Sequence, residues 1–303
     1  MSLFTRAKSA LRTLLGDAPE PATPLQGRVV RQPGVEPGFS LPAPRQLDLR
    51  LSSRESIARG TLRLTFEPGS GPDAEALFAW HPGQHATVIF EADEAAGLRR
   101  ETRIYSIWNR PAEPPGIAIV IRCVPGGRAT RVFESLPIGD TLPFVGPQGT
   151  FALRTPLAPR LVFAATGTGY APIRAMLVDL EARGELARRD VIVLWGLRSQ
   201  ADVFAEAELS TWAARYPRLK HTLVLSQPEG AYAGPVGRIT TRLAELRLSP
   251  EDTQVYLCGN GQMILDCFAI LERSGLRRET GHVIFEKFFD APLGGISGAA
   301  LRP

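Results

Sequence analysis

Residues 161–172 read Leu-Val-Phe-Ala-Ala-Thr-Gly-Thr-Gly-Tyr-Ala-Pro. An apolar run leads into a glycine-rich turn and then into residues that suit the start of a helix. Glycines let the backbone approach a phosphate closely, and the free N–H groups at a helix N-terminus bind the anion. Pro172 stands where the usual Gly-x-Gly-x-x-Gly pattern has its last glycine, and proline is tolerated in a first helical turn. The segment predicts a strand, a phosphate-binding turn and a helix; a tight turn with only a structural role is the alternative.

Beyond this segment, apolar runs alternate with helical patterns. Strands that alternate with helices form doubly wound, mostly parallel sheets. The predicted strands are Leu161–Ala165, Val191–Trp195, His221–Leu225, Val255–Cys258 and Val283–Phe288, and the predicted helices are Ala171–Arg183, Ala205–Tyr216, Gly237–Leu246 and Gln262–Ser274.

Before this segment, short strands separated by Gly and Pro turns predict a closed antiparallel β-barrel with a helical insertion near Ala129–Leu136. The expected fold is therefore a β-barrel domain at 45–154 followed by an α/β domain at 155–290. An N-terminal helix with a Pro-rich arm occupies 1–44, and a Gly-rich tail occupies 291–303. The predicted barrel strands are Leu47–Leu51, Thr61–Phe66, Gln84–Phe90, Thr102–Ile107, Ile117–Cys123, Thr141–Val145 and Thr150–Leu153.

The composition argues against several classes of protein. The net charge of +4 comes from dispersed basic residues, so nucleic-acid binding is not expected. The chain has no run of about 18 apolar residues that would span a membrane, and residues 1–16 lack the apolar region of a secretory signal. Cys123, Cys258 and Cys267 form no disulfide framework and are too few for a plant-type two-iron cluster. We therefore expect a cytoplasmic protein without an iron–sulfur domain of its own.

Two features in the first third of the chain have more than one interpretation. Residues 3–15 form an amphipathic pattern that would dock on a membrane surface or a partner, or pack on the protein itself. His81 and His85 flank a Pro-Gly-Gln turn, which breaks any helix that would align them as metal ligands. We interpret both as ordinary loop or strand residues and expect no metal site.

Two motifs in the predicted barrel suit a ligand with a phosphate and a flat ring. Arg103, Tyr105 and Ser106 share a strand, and a guanidinium group can fork onto phosphate oxygens. Taken alone, a surface Arg–Tyr pair is the better interpretation of these residues. Residues 126–130 read Gly-Gly-Arg-Ala-Thr and open a helix, which predicts a second anion-binding helix start.

Two further motifs lie in the predicted parallel sheet. Cys258-Gly259-Asn260 ends a strand at the edge where such sheets bind ligands, although free cysteine is also a common core residue. Glu286 and Phe288 follow on the last strand, where Phe288 is either a core aromatic or a ring that covers a ligand.

The order of these motifs is more specific than any one of them. Across residues 47–288 it resembles the ferredoxin–NADP reductase superfamily, whose members join an FAD-binding barrel to an NAD(P)-binding sheet. The resemblance implies that Arg103 holds the FAD pyrophosphate, that Tyr105 lies along the isoalloxazine and that Ser106 lies near flavin N5. It also implies that Gly127 and Thr130 contact the FAD phosphates.

The same resemblance assigns a nucleotide site in the second domain. Cys258 and Glu286 would border the nicotinamide and act with Ser106 as the catalytic residues, and Phe288 would cover the flavin ring. The residues implied to bind NADH or NADPH are Gly167, Thr168, Gly169, Gly259 and Asn260.

The choice between NADH and NADPH depends on charge beside the second parallel strand. Arg198 would hold the 2′-phosphate of NADPH with help from Arg238; the alternative is that Arg198 is a solvated loop residue. Three acids place negative charge in the same region, and on that balance we expect NADH: Asp202, Glu206 and Glu208.

The resemblance also implies a separate electron acceptor, either a ferredoxin, a flavodoxin or an oxygenase component. One alternative is a flavin reductase or diaphorase that acts on small acceptors. Another is an electron-transfer subunit that binds FAD without taking hydride from a free nucleotide.

Overall fold

The computed structural model describes residues 40, 43–69, 79–95, 97–111, 113 and 116–288. The amphipathic pattern at 3–15, nearly all of the Pro-rich arm and the tail at 291–303 lie outside the described residues. Within the described ranges, no helix combines the length and the apolar character needed to cross a bilayer.

The first domain is an antiparallel sheet of six strands with one helix: β1 (Arg45–Ala58), β2 (Thr61–Pro68), β3 (His85–Phe90), β4 (Glu101–Ser106), β5 (Ile117–Arg122), α1 (Arg128–Ser135) and β6 (Thr141–Gln148). The strand order is β4-β3-β6-β1-β2-β5. Alternate side chains of β1 and β2 are fully buried inside it, among them Leu51, Leu64 and Phe66. An isolated bridge between Ile107 and Ile119 joins the two edges of the sheet, which closes it into the predicted barrel.

The predicted strand at Thr150–Leu153 is wrong, because these residues form no strand. β6 ends at Gln148, and Gly149 has a φ of +92° that turns the chain away from the sheet. Phe151 and Leu153 are buried against the core of the second domain. Packing between the domains, rather than strand pairing, therefore accounts for their apolar pattern.

The second domain is a parallel sheet covered by helices. Its strands are β7 (Arg160–Thr166), β8 (Asp190–Leu197), β9 (Leu219–Leu225), β10 (Thr253–Asn260) and β11 (Val283–Phe288), and its helices are α2 (Tyr170–Ala182), α3 (Glu206–Arg215), α4 (Ile239–Ala244) and α5 (Gly261–Arg273). The strand order is β11-β10-β7-β8-β9, with every neighbouring pair parallel. The order reverses between β7 and β10, so their carboxyl ends form the switch point at which such sheets bind ligands.

The two domains share a hydrophobic core. Trp108 and Val120 of the barrel belong to the same buried cluster as Tyr170 and Trp195 of the second domain. The ring of Trp108 meets Tyr170 edge to face, with centroids 6.1 Å apart. Burial of large aromatic surfaces makes such a junction a substantial source of stability, and it fixes the position of α2 relative to the barrel.

An ion cluster reinforces this junction at its rim. Arg174 on α2 bonds to Glu113 of the barrel at 3.0 Å and to Glu208 of α3 at 2.8 Å. Its guanidinium group also lies 4.9 Å from the centre of the Trp108 ring. Cation–π contacts of this kind strengthen when they are shielded from water, and the Arg174 side chain is only 12% exposed.

Candidate active site

A buried carboxylate joins the two domains where the last strand of the α/β domain meets the barrel. Glu286 on β11 is 6% exposed. Its Oε2 accepts a hydrogen bond of 3.1 Å from the Ser106 hydroxyl at the end of β4. Its Oε1 lies 3.0 Å from Nδ1 of His85, the first residue of β3. Three polar groups from two domains therefore meet in a site shielded from solvent, where hydrogen bonds are electrostatically stronger than in water.

Sequence reasoning identified Ser106 and Glu286 but missed His85. We interpreted His85 as an ordinary strand residue, and it does lie on a strand, but its side chain is buried against Glu286. A usable signal was present: β3 and β4 pair so that His85 lies directly opposite Ser106. A register assigned to these two predicted strands would have placed the imidazole beside the serine.

Gly149 makes room for the imidazole ring. A Cβ at this position would lie 2.7 Å from Nδ1 and from Cε1 of His85, closer than side chains approach each other. The φ of +92° at Gly149 also disfavours any residue with a side chain. The ring of His85 is therefore held between Gly149 on one side and Glu286 on the other.

The glycine turn at 167–169 lies at the carboxyl ends of β7 and β10, as predicted for a phosphate-binding turn. A Cβ on Gly169 would lie 2.4 Å from the Cys258 carbonyl oxygen, and one on Gly259 would lie 2.4 Å from Oγ1 of Thr166. Gly167, in contrast, has a φ of +56° and would place a Cβ in open space. Two glycines thus allow the strands to pack closely, while Gly167 exposes backbone at the switch point.

Thr166 and Asn260 connect the two strand ends. The Thr166 hydroxyl oxygen accepts a bond of 2.9 Å from the Asn260 N–H. The Asn260 side chain caps α5 by accepting bonds from the N–H groups of Gln262 and Met263. Its amide oxygen is therefore engaged by the helix and its backbone N–H by Thr166, so a role for Asn260 in nucleotide binding rests on its amide nitrogen.

Cys258 lies beside Glu286 in the interior of the sheet. The two residues face each other in the register of β10 and β11, and Cys258 is fully buried. Burial raises the pKa of the Cys258 thiol well above its ordinary value, and the neighbouring Glu286 carboxylate raises it further. The thiol is therefore protonated at neutral pH and acts as a small neutral group, not as a thiolate nucleophile.

The residues on β4 that were predicted to bind the flavin differ in their exposure to solvent. The Arg103 side chain is 43% exposed and pairs with Glu101 at 2.7 Å. Tyr105 is half-buried, and its ring meets Phe133 edge to face with centroids 5.5 Å apart. Burial raises the pKa of Tyr105, so it is a neutral phenol. β4 therefore directs Arg103 to the surface and Ser106, at its end, to the domain junction.

Gly127 and Thr130 lie at the start of α1. Gly127 is the N-cap residue, and no side chain caps the helix. The Thr130 hydroxyl oxygen accepts a bond of 2.8 Å from the Val124 N–H and holds the turn closed. Its own hydrogen remains able to donate to a ligand. Gly126, with a φ of +73°, borders open space, so this turn presents backbone to a ligand as Gly167 does.

Two of the acidic residues on which the expectation of NADH depends, Asp202 and Glu208, form ion pairs with arginines of the protein. Asp202 is buried and bonds to Arg122 at 2.9 Å and to both the N–H and the hydroxyl of Ser199. Glu208 pairs with Arg174. Two of the three acids behind the expectation of NADH are therefore paired within the protein.

Arg198 borders an open pocket beside these residues. Its Nε donates to Gln227 at 2.8 Å. The pocket has a volume of about 500 Å³ and also includes two arginines of the barrel; its lining residues are Arg59, Arg122, Arg198, Ser199, Gln227 and Glu229.

Two family models match the chain in the same order as its domains. An oxidoreductase FAD-binding domain matches residues 48–153, and an oxidoreductase NAD-binding domain matches residues 163–268. The chain belongs to the ferredoxin–NADP reductase superfamily. The resemblance seen in the motifs is thereby confirmed, and so is the fold of a barrel followed by a parallel sheet.

Among the relatives within this superfamily are reductases of oxygenase systems. The chain is 30% identical to the reductase component 1 of terephthalate 1,2-dioxygenase from Comamonas sp, over 64% of this chain and 57% of that protein. It is 31% identical to the ferredoxin–NAD(P)(+) reductase component of the naphthalene 1,2-dioxygenase system of Pseudomonas putida, over 70% and 61%. The chain thus spans less than two thirds of these relatives.

A solved structure shares the same fold. The cytochrome P450 reductase of Amycolatopsis superposes with a TM-score of 0.67 at 27% identity, covering 82% of this chain and 71% of that one.

The residues of the site fit the two cofactors of the superfamily, FAD and NAD(P)H. Gly126 and Gly167 border open space in different domains, so each domain presents a turn for one set of phosphates. Arg103 supplies an exposed guanidinium group next to a half-buried aromatic ring. The chain therefore combines an oxidoreductase FAD-binding domain with an oxidoreductase NAD-binding domain.

Proposed function

We propose that this protein takes hydride from NAD(P)H onto FAD and passes the electrons to a separate one-electron carrier protein. The observation that carries the proposal is the hydrogen bond of 3.1 Å between Ser106 of the barrel and Glu286 of the α/β domain. It brings a hydroxyl donor and a carboxylate to the point where a flavin on the barrel and a nicotinamide at the sheet would meet.

For the flavin, we assign Arg103, Gly127 and Thr130 to the phosphates and Tyr105 to the ring. The exposed Arg103 exchanges its bond to Glu101 for charge-assisted bonds to the pyrophosphate. FAD, once bound, supplies the chemistry of accepting two electrons together and releasing them singly. Ser106 orients the reacting edge of the ring through its hydroxyl.

For the nucleotide, we assign the pyrophosphate to the turn formed by Gly167, Thr168 and Gly169. The protonated Cys258 and the carboxylate of Glu286 then border the nicotinamide and exclude water from it. Reaction between the two rings requires near-contact distances, so the closely packed domain junction contributes by orientation.

We assign Phe288 to the outer face of the flavin ring. Phe288 ends β11, opposite Asn260 on β10, and is partly buried against the core of the α/β domain. A ring in this place lies close to Glu286 and to the nucleotide turn, which supports a role in covering the flavin when nucleotide is absent.

The acceptor that we propose is a ferredoxin, a flavodoxin or the oxygenase component of a multicomponent system in the cytoplasm. The two relatives described above are named as reductase components of dioxygenase systems. Since Asp202 and Glu208 are held in protein contacts, we also propose that Arg198 admits the 2′-phosphate of NADPH, and that both nucleotides serve as donors.

An anaerobic spectroscopic titration tests this function in two stages. The purified protein is expected to show the absorbance of bound FAD, which NADH and NADPH bleach in separate experiments. The reduced protein is then mixed with a ferredoxin, a flavodoxin or free flavin. The proposal is supported if a ferredoxin or a flavodoxin reoxidises the reduced protein faster than free flavin does. Reoxidation by free flavin alone identifies a flavin reductase, and FAD that neither nucleotide bleaches identifies an electron-transfer subunit; either result contradicts it.

A further inference from the structure

Both domains build the open pocket beside Arg198. The pocket has a volume of about 500 Å³, and Arg59 and Arg122 of the barrel line it together with Arg198. Arg59 lies in the turn between β1 and β2, and its backbone N–H donates a bond of 2.9 Å to the carbonyl oxygen of Ala201. This turn of the barrel is therefore held against the loop that follows β8, where the adenosine end of a nucleotide would lie.

The two barrel arginines differ in how firmly they are held. Arg122 donates to the buried carboxylate of Asp202 at 2.9 Å and to the carbonyl oxygen of Arg59 at 2.7 Å. The side chain of Arg59 pairs with Glu229 at 3.0 Å, and both partners are more than half exposed. Ion pairs in water contribute little to stability. Arg59 can therefore exchange this carboxylate for another anion at a small cost.

Glu229 combines a fixed backbone with an exposed side chain. Its N–H donates to the side-chain oxygen of Gln200, and its carbonyl oxygen accepts from the side-chain nitrogen of the same residue, each at 2.8 Å. The Glu229 side chain is 63% exposed. A change of rotamer can thus withdraw the carboxylate from Arg59 while the loop stays in place.

Arg198 borders the same space from the α/β domain. Its Nε donates to the neutral amide oxygen of Gln227, and among the residues that the structure describes it forms no ion pair. Guanidinium groups bind phosphate oxygens through paired charge-assisted bonds. A phosphate monoester carries nearly two negative charges at neutral pH, so it can engage Arg59 and Arg198 together and displace a single carboxylate.

We propose that Arg59 of the barrel is a specificity-determining residue that binds the 2′-phosphate of NADPH together with Arg198, and that Glu229 takes the place of this phosphate in its absence. The inference rests on the proposed function, in which Arg198 admits the 2′-phosphate. With NADH, which has a hydroxyl group in place of the phosphate, Arg59 stays paired with Glu229. One pocket then serves both nucleotides, because Arg59 exchanges one partner.

Arg59→Gln tests the proposal by the difference between the two nucleotides. The dependence of the stopped-flow rate of flavin reduction on nucleotide concentration gives an apparent Kd for each. We expect the Kd of NADPH to rise at least about tenfold, as for loss of a charge-assisted bond to a phosphate. The Kd of NADH should change less than about threefold, since an exposed ion pair contributes little. The thermal unfolding midpoint serves as the check on folding.

Glu229→Gln should shift the preference in the opposite direction. Removal of the competing carboxylate leaves Arg59 unpaired in the pocket, so the Kd of NADPH should fall about three- to tenfold. The matched control is Arg63→Gln, the same substitution at a β2 residue that pairs with Glu55 at 2.7 Å, and both Kd values should stay at the wild-type level.

Three results would overturn the inference. If Arg59→Gln weakens NADH as much as NADPH, Arg59 has only a structural role at the domain junction. If it leaves the Kd of NADPH unchanged, Arg59 does not contact the phosphate. If Glu229→Gln does not tighten NADPH, the carboxylate does not take the place of the phosphate.

A second measurement does not depend on reduction of the flavin. Calorimetric titration of the oxidised protein compares 2′-AMP with 5′-AMP, which carry the same groups but place the phosphate on different ribose oxygens. The wild-type protein should bind 2′-AMP at least about tenfold more tightly, and Arg59→Gln should lose this preference. Equal affinities in the wild-type protein would contradict the inference and leave the proposed function intact. That function fails separately, if neither nucleotide reduces the bound FAD.

Discussion

Two buried carboxylates of the α/β domain reach across to the barrel, and they are paired in different ways. We call the group of Asp202 with Arg122, Arg59 and Ser199 the Asp202 contact, and the group of Glu286 with Ser106 and His85 the Glu286 contact. Both carboxylate side chains are 6% exposed. Asp202 faces two arginines, at 2.9 and 3.8 Å, whereas Glu286 faces a hydroxyl and an imidazole.

The difference separates a structural ion pair from the site at which we propose that the reaction takes place. An arginine is always protonated, so the Asp202 contact has one charge state at any physiological pH. Burial by itself would raise the pKa of Asp202, but hydrogen bonds from Arg122 and Ser199 outweigh it and lower the pKa below its ordinary value. The Glu286 carboxylate is held instead by a hydroxyl and an imidazole, so hydrogen bonds rather than an arginine fix its position at the domain junction.

The largest effect is expected from Glu286→Gln. Glutamine retains the shape of the side chain but removes the negative charge from the point where the proposed flavin and nicotinamide meet, and loss of one positioned electrostatic group costs on the order of 100-fold or more. We therefore expect steady-state turnover with ferricyanide to fall by about two orders of magnitude. FAD content and the thermal unfolding midpoint serve as checks on folding. If the turnover of Glu286→Gln stays within about tenfold of the wild-type rate, the Glu286 contact has a structural role like that of the Asp202 contact.

Arg103→Ala tests the flavin site without altering either contact. Loss of a charge-assisted bond to the pyrophosphate should cost about 1.5–3 kcal/mol of FAD binding, or about 10- to 150-fold in Kd. The apoprotein should fold and unfold as the wild-type protein does, because Arg103 is exposed and its pair with Glu101 is a surface pair. Fluorescence titration of apoprotein with FAD measures the affinity, and an unchanged Kd would make Arg103 an ordinary surface residue.

Asp202→Asn should lower the free energy of unfolding and leave turnover unchanged. Asparagine keeps one acceptor oxygen but places an amide group against the Ser199 N–H, and Arg122 is half-exposed, so we expect a loss of about 1–2 kcal/mol. Denaturant unfolding at neutral pH measures this difference. A parallel loss of turnover would show that the Asp202 contact also acts in the reaction.

The same pair of proteins gives a pH test with a defined sign. The folded-state pKa of Asp202 is lowered, so its stabilising contribution is fully present above the ordinary pKa of 3.8 and is lost as the pH falls through the folded-state value. The stability difference between wild type and Asp202→Asn should therefore be constant near neutral pH and shrink below about pH 4. A difference that grows on acidification would contradict the assignment.

The smallest effect is expected from Cys258→Ala at the Glu286 contact. Removal of the thiol leaves FAD bound but loosens the wall beside the nicotinamide, and small misplacements of reactants slow reaction. We expect flavin reduction by NAD(P)H to slow about five- to tenfold in stopped-flow measurements. Cys267→Ala is the matched control, because Cys267 is equally buried but packs in the other core of the sheet beside Met263. Equal rates in the two variants would reduce Cys258 to a packing residue.

Much of the architecture was predictable because it depends on local patterns. The alternation of β1 and β2 and the strand–turn–helix at 161–172 are properties of neighbouring residues, and both form as predicted. Residues 150–153 show the limit of this reasoning. Their alternation is that of a strand, but their partners lie in another domain, about which local periodicity carries no information.

The same distinction between local patterns and contacts across domains applies to the candidate site. Ser106, Cys258 and Glu286 were identified because each belongs to a motif whose residue types and order are visible in the chain. The pairing of Glu286 with His85 joins residues 201 positions apart and depends on the register between β3 and β4 and on the missing side chain of Gly149. Asp202 is the opposite case: its charge counted toward the expectation of NADH, and only the structure shows that it pairs with Arg122 of the barrel.

The amino-acid sequence alone therefore specified the two domains, their order and the chemical types of the groups in the proposed site, because periodicity and turn chemistry act over a few residues. Only the packing of the domains decided which of these groups are paired, buried or free. A carboxylate has the same formula at Asp202 and at Glu286. Its role depends on whether an arginine or a histidine approaches it from the other domain, and on how much water the junction excludes.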